Sequence, residues 1–230
     1  MLRFEGVEVR QGSHRLAADF EVGGAGVTAV IGPSGAGKST LLSVIAGFVV
    51  PASGRVFWAD ADLTPLSPGQ RPVSVVFQDN NLFPHLDVRA NVALGVAPNL
   101  RLSDAQWAQV DAVLARVGLD GKETRKPAAL SGGEQSRVAL ARALVRDRPL
   151  VLLDEPFAAL GPALKAEMLD LVRGTLVADG KTVLLVTHDP GDARRVAERT
   201  ILVADGRAHA PMGTGDLLDN PPPALAAYLA

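Results

Sequence analysis

Nine consecutive residues carry the clearest chemistry in the chain: Gly32-Pro33-Ser34-Gly35-Ala36-Gly37-Lys38-Ser39-Thr40. They satisfy G-x-x-x-x-G-K-[ST] between an apolar, β-rich run (Gly26 to Ile31) and a helical pattern from Lys38 to Gly47, which is the context the motif requires. Glycines let the backbone wrap closely and turn successive N–H groups inward, making a nest for phosphate oxygens. The helix that begins here adds the positive end of its dipole. Lys38 can bridge β- and γ-phosphates as a point charge, and the Ser39 hydroxyl suits Mg²⁺. A glycine-rich turn at a helix start is the plainer alternative, and the strand–helix context weighs against it.

A second motif is acidic. Leu150-Val151-Leu152-Leu153-Asp154-Glu155-Pro156 is an apolar strand ending abruptly in two carboxylates. In an open α/β sheet such a strand delivers its C-terminal residues to the ligand crevice. Asp154 is expected to hold Mg²⁺, which keeps much of its water shell. Glu155 is expected to take a proton from an attacking water, a general-base role worth about 10²–10⁴ in rate. Alone, this motif could equally be an acidic strand end that begins a loop.

A third, Leu130-Ser131-Gly132-Gly133-Glu134, opens a helix whose apolar face carries Val138, Ala141, Leu144 and Val145. Ser131 with Glu134 three residues on reads as a capping box. That local role leaves the paired glycines unexplained, and they would give an anion close access to the helix-end N–H groups.

The elements that must position these groups follow from periodicity. Leu2 to Val9 and Leu16 to Val22 read as strands joined at Gln11-Gly12-Ser13, with Arg55 to Trp58 and Val73 to Phe77 as further strands. Residues 87–118 change to helical spacing, with an N-cap at Ser103. Helices over 132–146, 162–178 and 189–197 then alternate with strands 150–153, 182–186 and 200–203. Short, wholly apolar strands alternating with helices predict an α/β fold with a parallel core sheet, and the N-terminal strands predict an antiparallel annex. Pro221-Pro222-Pro223 isolates a tail, Ala224 to Ala230, with no evident role.

Composition narrows the classes. The 230 residues are 47% hydrophobic and 21% charged, with 23 Lys+Arg against 25 Asp+Glu for a net charge of −2. This excludes disorder and argues against nucleic-acid binding by general electrostatics. With no cysteine there is no disulfide scaffold, thiolate metal site or Cys nucleophile. The longest apolar stretch, Leu41 to Val50, is far short of a membrane span, and the N-terminus lacks signal-peptide character.

The phosphate loop, acidic strand and Ser-Gly-Gly signature together resemble the ATP-binding subunit of ABC transporters. The order is kept over the whole chain: phosphate loop, Gln78 in Val76-Phe77-Gln78, signature, acidic strand, and His188 after Leu184-Leu185-Val186-Thr187. The resemblance implies a P-loop ABC ATPase fold over residues 1–230, with a helical subdomain inserted at roughly 79–146. It implies ATP and Mg²⁺, with Gln78 contacting the metal and the attacking water, and His188 holding the γ-phosphate and the water. It implies a head-to-tail homodimer in which Ser131, Gly132, Gly133 and Glu134 of one chain cover the γ-phosphate held by Lys38 of the other. A membrane permease and, indirectly, a periplasmic solute-binding protein complete the implied partners, with this subunit peripheral on the cytoplasmic face of the inner membrane.

Arg71 to Leu86, with Asn80-Asn81 and the segment Leu94 to Leu100, is similar to bacterial importers and most to the ATPase subunits for thiamine. Molybdate, iron or sulfate import, and a nucleotide-gated module with little turnover, stay open as alternatives. The loop Leu82-Phe83-Pro84-His85-Leu86 is expected to meet the permease. Three departures from the family pattern stand out. The aromatic that stacks on adenine is missing around Val9-Arg10-Gln11, leaving Arg10 as the candidate substitute. Glu134 stands where Gln is usual, and Ala158-Ala159-Leu160-Gly161 stands where Ser-Ala-Leu-Asp is common.

Overall fold

The strands Leu150–Asp154 and Thr182–Val186 are apolar along nearly their whole length because both of their faces are covered. Val151, Leu153, Val183 and Leu185 enter one core cluster, and Leu150, Leu152, Leu184 and Val186 enter another on the opposite face. The computed structural model describes every residue except Ser13 and Ala230, so the Ser13 end of the expected turn and the last tail residue lie outside it.

In chain order the strands are β1 (Leu2–Gln11), β2 (His14–Val22), β3 (Gly26–Ile31), β4 (Ser53–Trp58), β5 (Ala61–Asp62), β6 (Val73–Val76), β7 (Leu150–Asp154), β8 (Thr182–Val186), β9 (Arg199–Ala204), β10 (Arg207–Ala208) and β11 (Met212–Gly213). The helices are α1 (Lys38–Ala46), α2 (Val88–Ala93), α3 (Asp104–Arg116), α4 (Gly132–Val145), α5 (Pro162–Val172), α6 (Pro190–Val196), α7 (Thr214–Asp219) and α8 (Pro223–Leu229). The sheet runs β5-β4-β1-β2-β10-β9-β3-β8-β7-β6, with β11 on β9. From β9 to β6 every neighbour is parallel, whereas β1 pairs antiparallel with β2 and β4. The parallel core and antiparallel annex follow the expectation. The short strands β5, β10 and β11 carry too few residues to show a period.

Two helical expectations are modified. The stretch 87–118 divides into α2 and α3, separated by Gly95 and Pro98-Asn99; Ser103 caps α3 through a capping box with Gln106. The helix expected over 162–178 is α-helical only to Val172 and continues as a π-turn over Arg173–Val177. There the Thr175 hydroxyl donates to the Leu171 carbonyl at 2.6 Å, and the Ala178 N–H reaches back five residues to Arg173. Side-chain competition for a backbone carbonyl of this kind bends helices.

One buried cation ties the end of α1 to the segment between β5 and β6. Arg71 is 1% exposed, and its guanidinium donates to the Val44 and Ile45 carbonyls at the end of α1 (2.7 and 2.9 Å) and to Leu66 and Thr64 (3.0 and 3.3 Å). It packs against Gly47, where an added Cβ would lie 2.6 Å from the Arg71 Nε. Arg71→Met leaves four carbonyls without their donor, so it is expected to cost roughly 3 kcal/mol, a Tm drop of roughly 6–12 °C by calorimetry.

Candidate functional site

Parallel pairing brings the C-terminal strand ends level. Val30 on β3 lies opposite Val186 on β8, Val186 opposite Asp154 on β7, and Leu153 opposite Val76 on β6. The next residues of each strand therefore emerge at one edge: the phosphate loop after β3, Glu155 after β7, Thr187 and His188 after β8, and Gln78 after β6.

The phosphate loop bounds a cleft of about 350 Å³ lined by Ser34 to Thr40, by Val9, Gln11, His14, Arg15 and Leu16 of the first hairpin, and by Glu155. Gly32 has φ +150°, and a Cβ there would stand 2.0 Å from the Val203 carbonyl oxygen of β9, so no larger residue fits. Gly37 caps α1 in the left-handed region at φ 107°. Lys38 is buried, its ammonium donating to the carbonyls of Gly32 (2.9 Å) and Pro33 (3.0 Å). Burial lowers its pKa, opposed by the charges of Glu155 and Asp154.

Ser39 Oγ lies 3.2 Å from Asp154 Oδ1. Burial pushes the Asp154 carboxyl up, while the Ser39 hydrogen bond and the Lys38 charge act the other way. Among the described residues no group of three His, Cys, Asp or Glu side chains could close a cation site by itself. A hydroxyl and one carboxylate converging beside a phosphate cradle fit Mg²⁺, which takes one or two protein oxygens and completes its shell from phosphate and water.

Glu155 has φ 46°, a left-handed conformation costing a non-glycine residue about 1–2 kcal/mol. Its N–H donates to the Val186 carbonyl, and its Oε2 lies 3.3 Å from His188 Nδ1. Glu155 and His188 are thus brought together. Gln78 emerges at the same edge but is exposed and does not line the cleft.

Arg10 is not where the adenine expectation needs it. Its guanidinium pairs with Glu8 at 3.1 Å, and it does not line the cleft, whereas Val9 and Gln11 on either side do. Alternate residues of a strand face opposite sides. The hairpin instead lines the cleft with Gln11 and His14, a cross-strand pair on the Val9 face, while Arg15, opposite Arg10, borders the cleft with its guanidinium turned to Glu8 at 2.8 Å. The period-2 pattern of β1 carried that signal, since Val9 facing inward sends Arg10 outward.

The signature sits apart. None of Ser131, Gly132, Gly133 and Glu134 lines the cleft. The Ser131–Glu134 capping box forms in both directions: Ser131 Oγ accepts from the Glu134 N–H, and Glu134 Oε2 accepts from the Ser131 N–H at 2.7 Å. Glu134 also pairs with Lys122. The Lys122 bond first, then the Ser131 amide, hold the Glu134 carboxyl down to about 2. The paired glycines separate into two roles. A Cβ on Gly133 would meet Leu164 of α5 at 2.6 Å, so its absence serves helix packing, whereas a Cβ on Gly132 would make an ordinary 3.5 Å contact with Leu160.

Arg142, further along α4, donates to the carbonyls of Asn80 (3.2 Å) and Asn81 (2.9 Å). Both asparagines are left-handed, at φ 56° and 46°, a region that Asn tolerates better than most residues. The turn that follows Gln78 is thereby fastened to the signature helix, a link that spacing alone did not reveal.

The ABC transporter family model matches residues 17–158. This chain belongs to the ABC transporter family. It is 58% identical over 229 residues to the "Thiamine import ATP-binding protein ThiQ" of Ruegeria sp. (strain TM1040), covering 100% of this chain and 99% of that one. It is 59% identical over the same span and coverage to the protein of that name from Cereibacter sphaeroides. Among solved structures it resembles a dimeric ATP-binding cassette in a post-hydrolysis state bound to ADP and Pi (TM-score 0.79, 30% identity, 93% and 99% of the two chains). A nucleotide-free cassette from an ABC transporter (TM-score 0.89, 24% identity, 100% and 98% coverage) shares the fold.

For this ABC cassette, Gly132→Ala is expected to leave Tm within about 1 °C, because the added methyl meets only an ordinary contact. Gly133→Ala is expected to lower it by about 2–4 °C at most, since the half-buried Leu164 side chain must turn aside at a cost of about 1 kcal/mol. Glu134 contributes stability that is fully present above its ordinary value of 4.5 and is lost as pH falls through about 2. Thermal melts between these limits should therefore fall less steeply for Glu134→Gln than for the wild type.

Proposed function

We propose that the protein hydrolyses ATP to energise import of thiamine or its phosphates through an ABC transporter, as a single ATP-binding unit with its helical subdomain within residues 79–146. The observation that carries the hydrolytic reading is the convergence of Lys38, the Ser39–Asp154 pair and the Glu155–His188 pair at one sheet edge. Near-full-length similarity to proteins named for thiamine import favours that cargo over molybdate, iron or sulfate.

The backbone N–H groups of residues 34–39 and Lys38 hold the phosphates, and Ser39 and Asp154 would hold Mg²⁺. The bound metal would neutralise charge on the β- and γ-oxygens. Glu155 accepts a proton from the water that attacks the γ-phosphorus as the bond to the β–γ bridging oxygen breaks, releasing ADP and phosphate. The imidazole of His188, beside Glu155, orients the water and the γ-phosphate. Gln78 reaches the metal and water only if the turn after β6 swings inward, a movement that Arg142 would pass to the signature helix.

Since the signature lies away from its own cleft, the site is completed by a second, head-to-tail copy, whose Ser131, Gly132 and Gly133 supply N–H groups to the γ-phosphate. Glu134 is turned back to the helix start and neutralised by Lys122, so it does not repel the nucleotide. Closure excludes water and couples nucleotide state to movement. Among the described residues no helix is long and apolar enough to cross a membrane. Phe48, Phe77 and Phe83 are exposed beside Gln78 and its loop, an apolar surface suited to a permease helix that anchors the subunit at the inner membrane. A periplasmic binding protein would deliver the cargo from the other side.

The test is phosphate release by the subunit assembled with its permease, for wild type and Glu155→Gln. Turnover is expected to fall by about 10²–10⁴ in the variant, and thiamine-loaded binding protein is expected to stimulate the wild type. Equal, negligible release from both would support a nucleotide-gated module instead.

A further inference from the structure

The tail that the sequence leaves without a role ends beside the hydrolytic pair. Pro223 starts α8, where its missing N–H costs nothing, and Leu225 is fully buried. Ala224 and Tyr228 pack on the same core cluster, one helical turn apart. This brings the chain's single tyrosine to the loop after β8, where its hydroxyl donates to the backbone carbonyl of His188.

The residues flanking His188 are already fastened. The Thr187 N–H donates to Val30 of β3, and the Thr187 hydroxyl donates to Asp192 at 2.6 Å. The Asp189 N–H donates to that same hydroxyl, while the Asp189 carboxylate accepts from the Gly191 N–H and from Lys165. His188 itself is exposed, and the peptide carbonyl that sets its direction is the group Tyr228 holds. Burial, then the charges of Glu155 and Asp189, push the phenol's pKa up, which keeps it a donor.

We propose that Tyr228 is a positioning residue for His188: its hydroxyl fixes the peptide that aims the imidazole at Glu155 and the γ-phosphate, so the C-terminal helix forms part of the hydrolytic apparatus. This rests on the ATPase reading above. A purely structural tyrosine would act through its ring, which fills the space between α8 and the core, and the hydroxyl would then be dispensable.

Steady-state ATP hydrolysis by the subunit–permease complex separates the two roles, using Tyr228→Phe, His188→Ala and the double variant, with Glu155→Gln as the background control. Tyr228→Phe keeps the ring and is expected to lower kcat about three- to tenfold, the worth of one hydrogen bond, with KM for ATP unchanged and Tm lowered by only a few degrees. In the His188→Ala background the same change is expected to cost nothing further, because the group it positions is gone. Wild-type kcat in Tyr228→Phe, a change confined to KM, or an equal loss in both backgrounds would overturn the proposal. A wild type that turns over no faster than Glu155→Gln defeats the ATPase reading and this inference with it. Normal wild-type turnover with an indifferent Tyr228→Phe defeats this inference alone.

Discussion

The parallel hydrogen-bond register of β3, β8, β7 and β6 is the constraint on which the site depends. Opposite pairs run Val30–Val186, Val186–Asp154 and Leu153–Val76, so four strands stop within a residue or two of one another. A shift of one residue in any pair would exchange the two buried faces of that strand and move its functional residue out of line. Because both faces are core, the register is strongly specified, and the strands locate Lys38, Asp154, Glu155 and His188 relative to one another without long-range electrostatics.

Local costs concentrate around that edge. Gly32 has no room for a side chain beneath β9, Lys38 is held in the loop despite its burial, and Glu155 adopts a left-handed backbone at the strand end. Each is unfavourable by itself and is held by well-packed surroundings, a pattern expected where a site is preorganised. Arg71 does the corresponding work on the far end of α1, donating from one buried guanidinium to four carbonyls and so holding the helix that Lys38 begins.

The signature region illustrates how one motif can carry two requirements. Gly133 is small because Leu164 of α5 lies against it, and Ser131 with Glu134 closes the helix start. Gly132 has neither duty: it is exposed, and a Cβ there would make only an ordinary contact with Leu160. The same helix reaches the turn after Gln78 through Arg142. The segment expected to sense nucleotide and the segment expected to cover it on a partner chain are thus joined by two hydrogen bonds and not by proximity in sequence.

Contiguous motifs were legible from residue order alone: the phosphate loop, the apolar strand with its two carboxylates, the N-cap at Ser103, the capping box at Ser131, and the alternation that makes a parallel sheet. Their physics is local, set by backbone freedom, side-chain reach and period, so a short window contains it. The tertiary structure decided what depends on facing and convergence. Arg10 carries the right chemistry for a base but points away from the cleft, because its neighbour Val9 points in, and Gln11 and His14 take that wall. Asn80 and Asn81 meet Arg142 across 62 and 61 residues. Tyr228, distant in sequence from every motif, reaches His188 because Leu225 has a buried seat to fill. Spacing determined which groups this chain has for phosphate chemistry; only the packing of the sheet and its helices determined which of them meet.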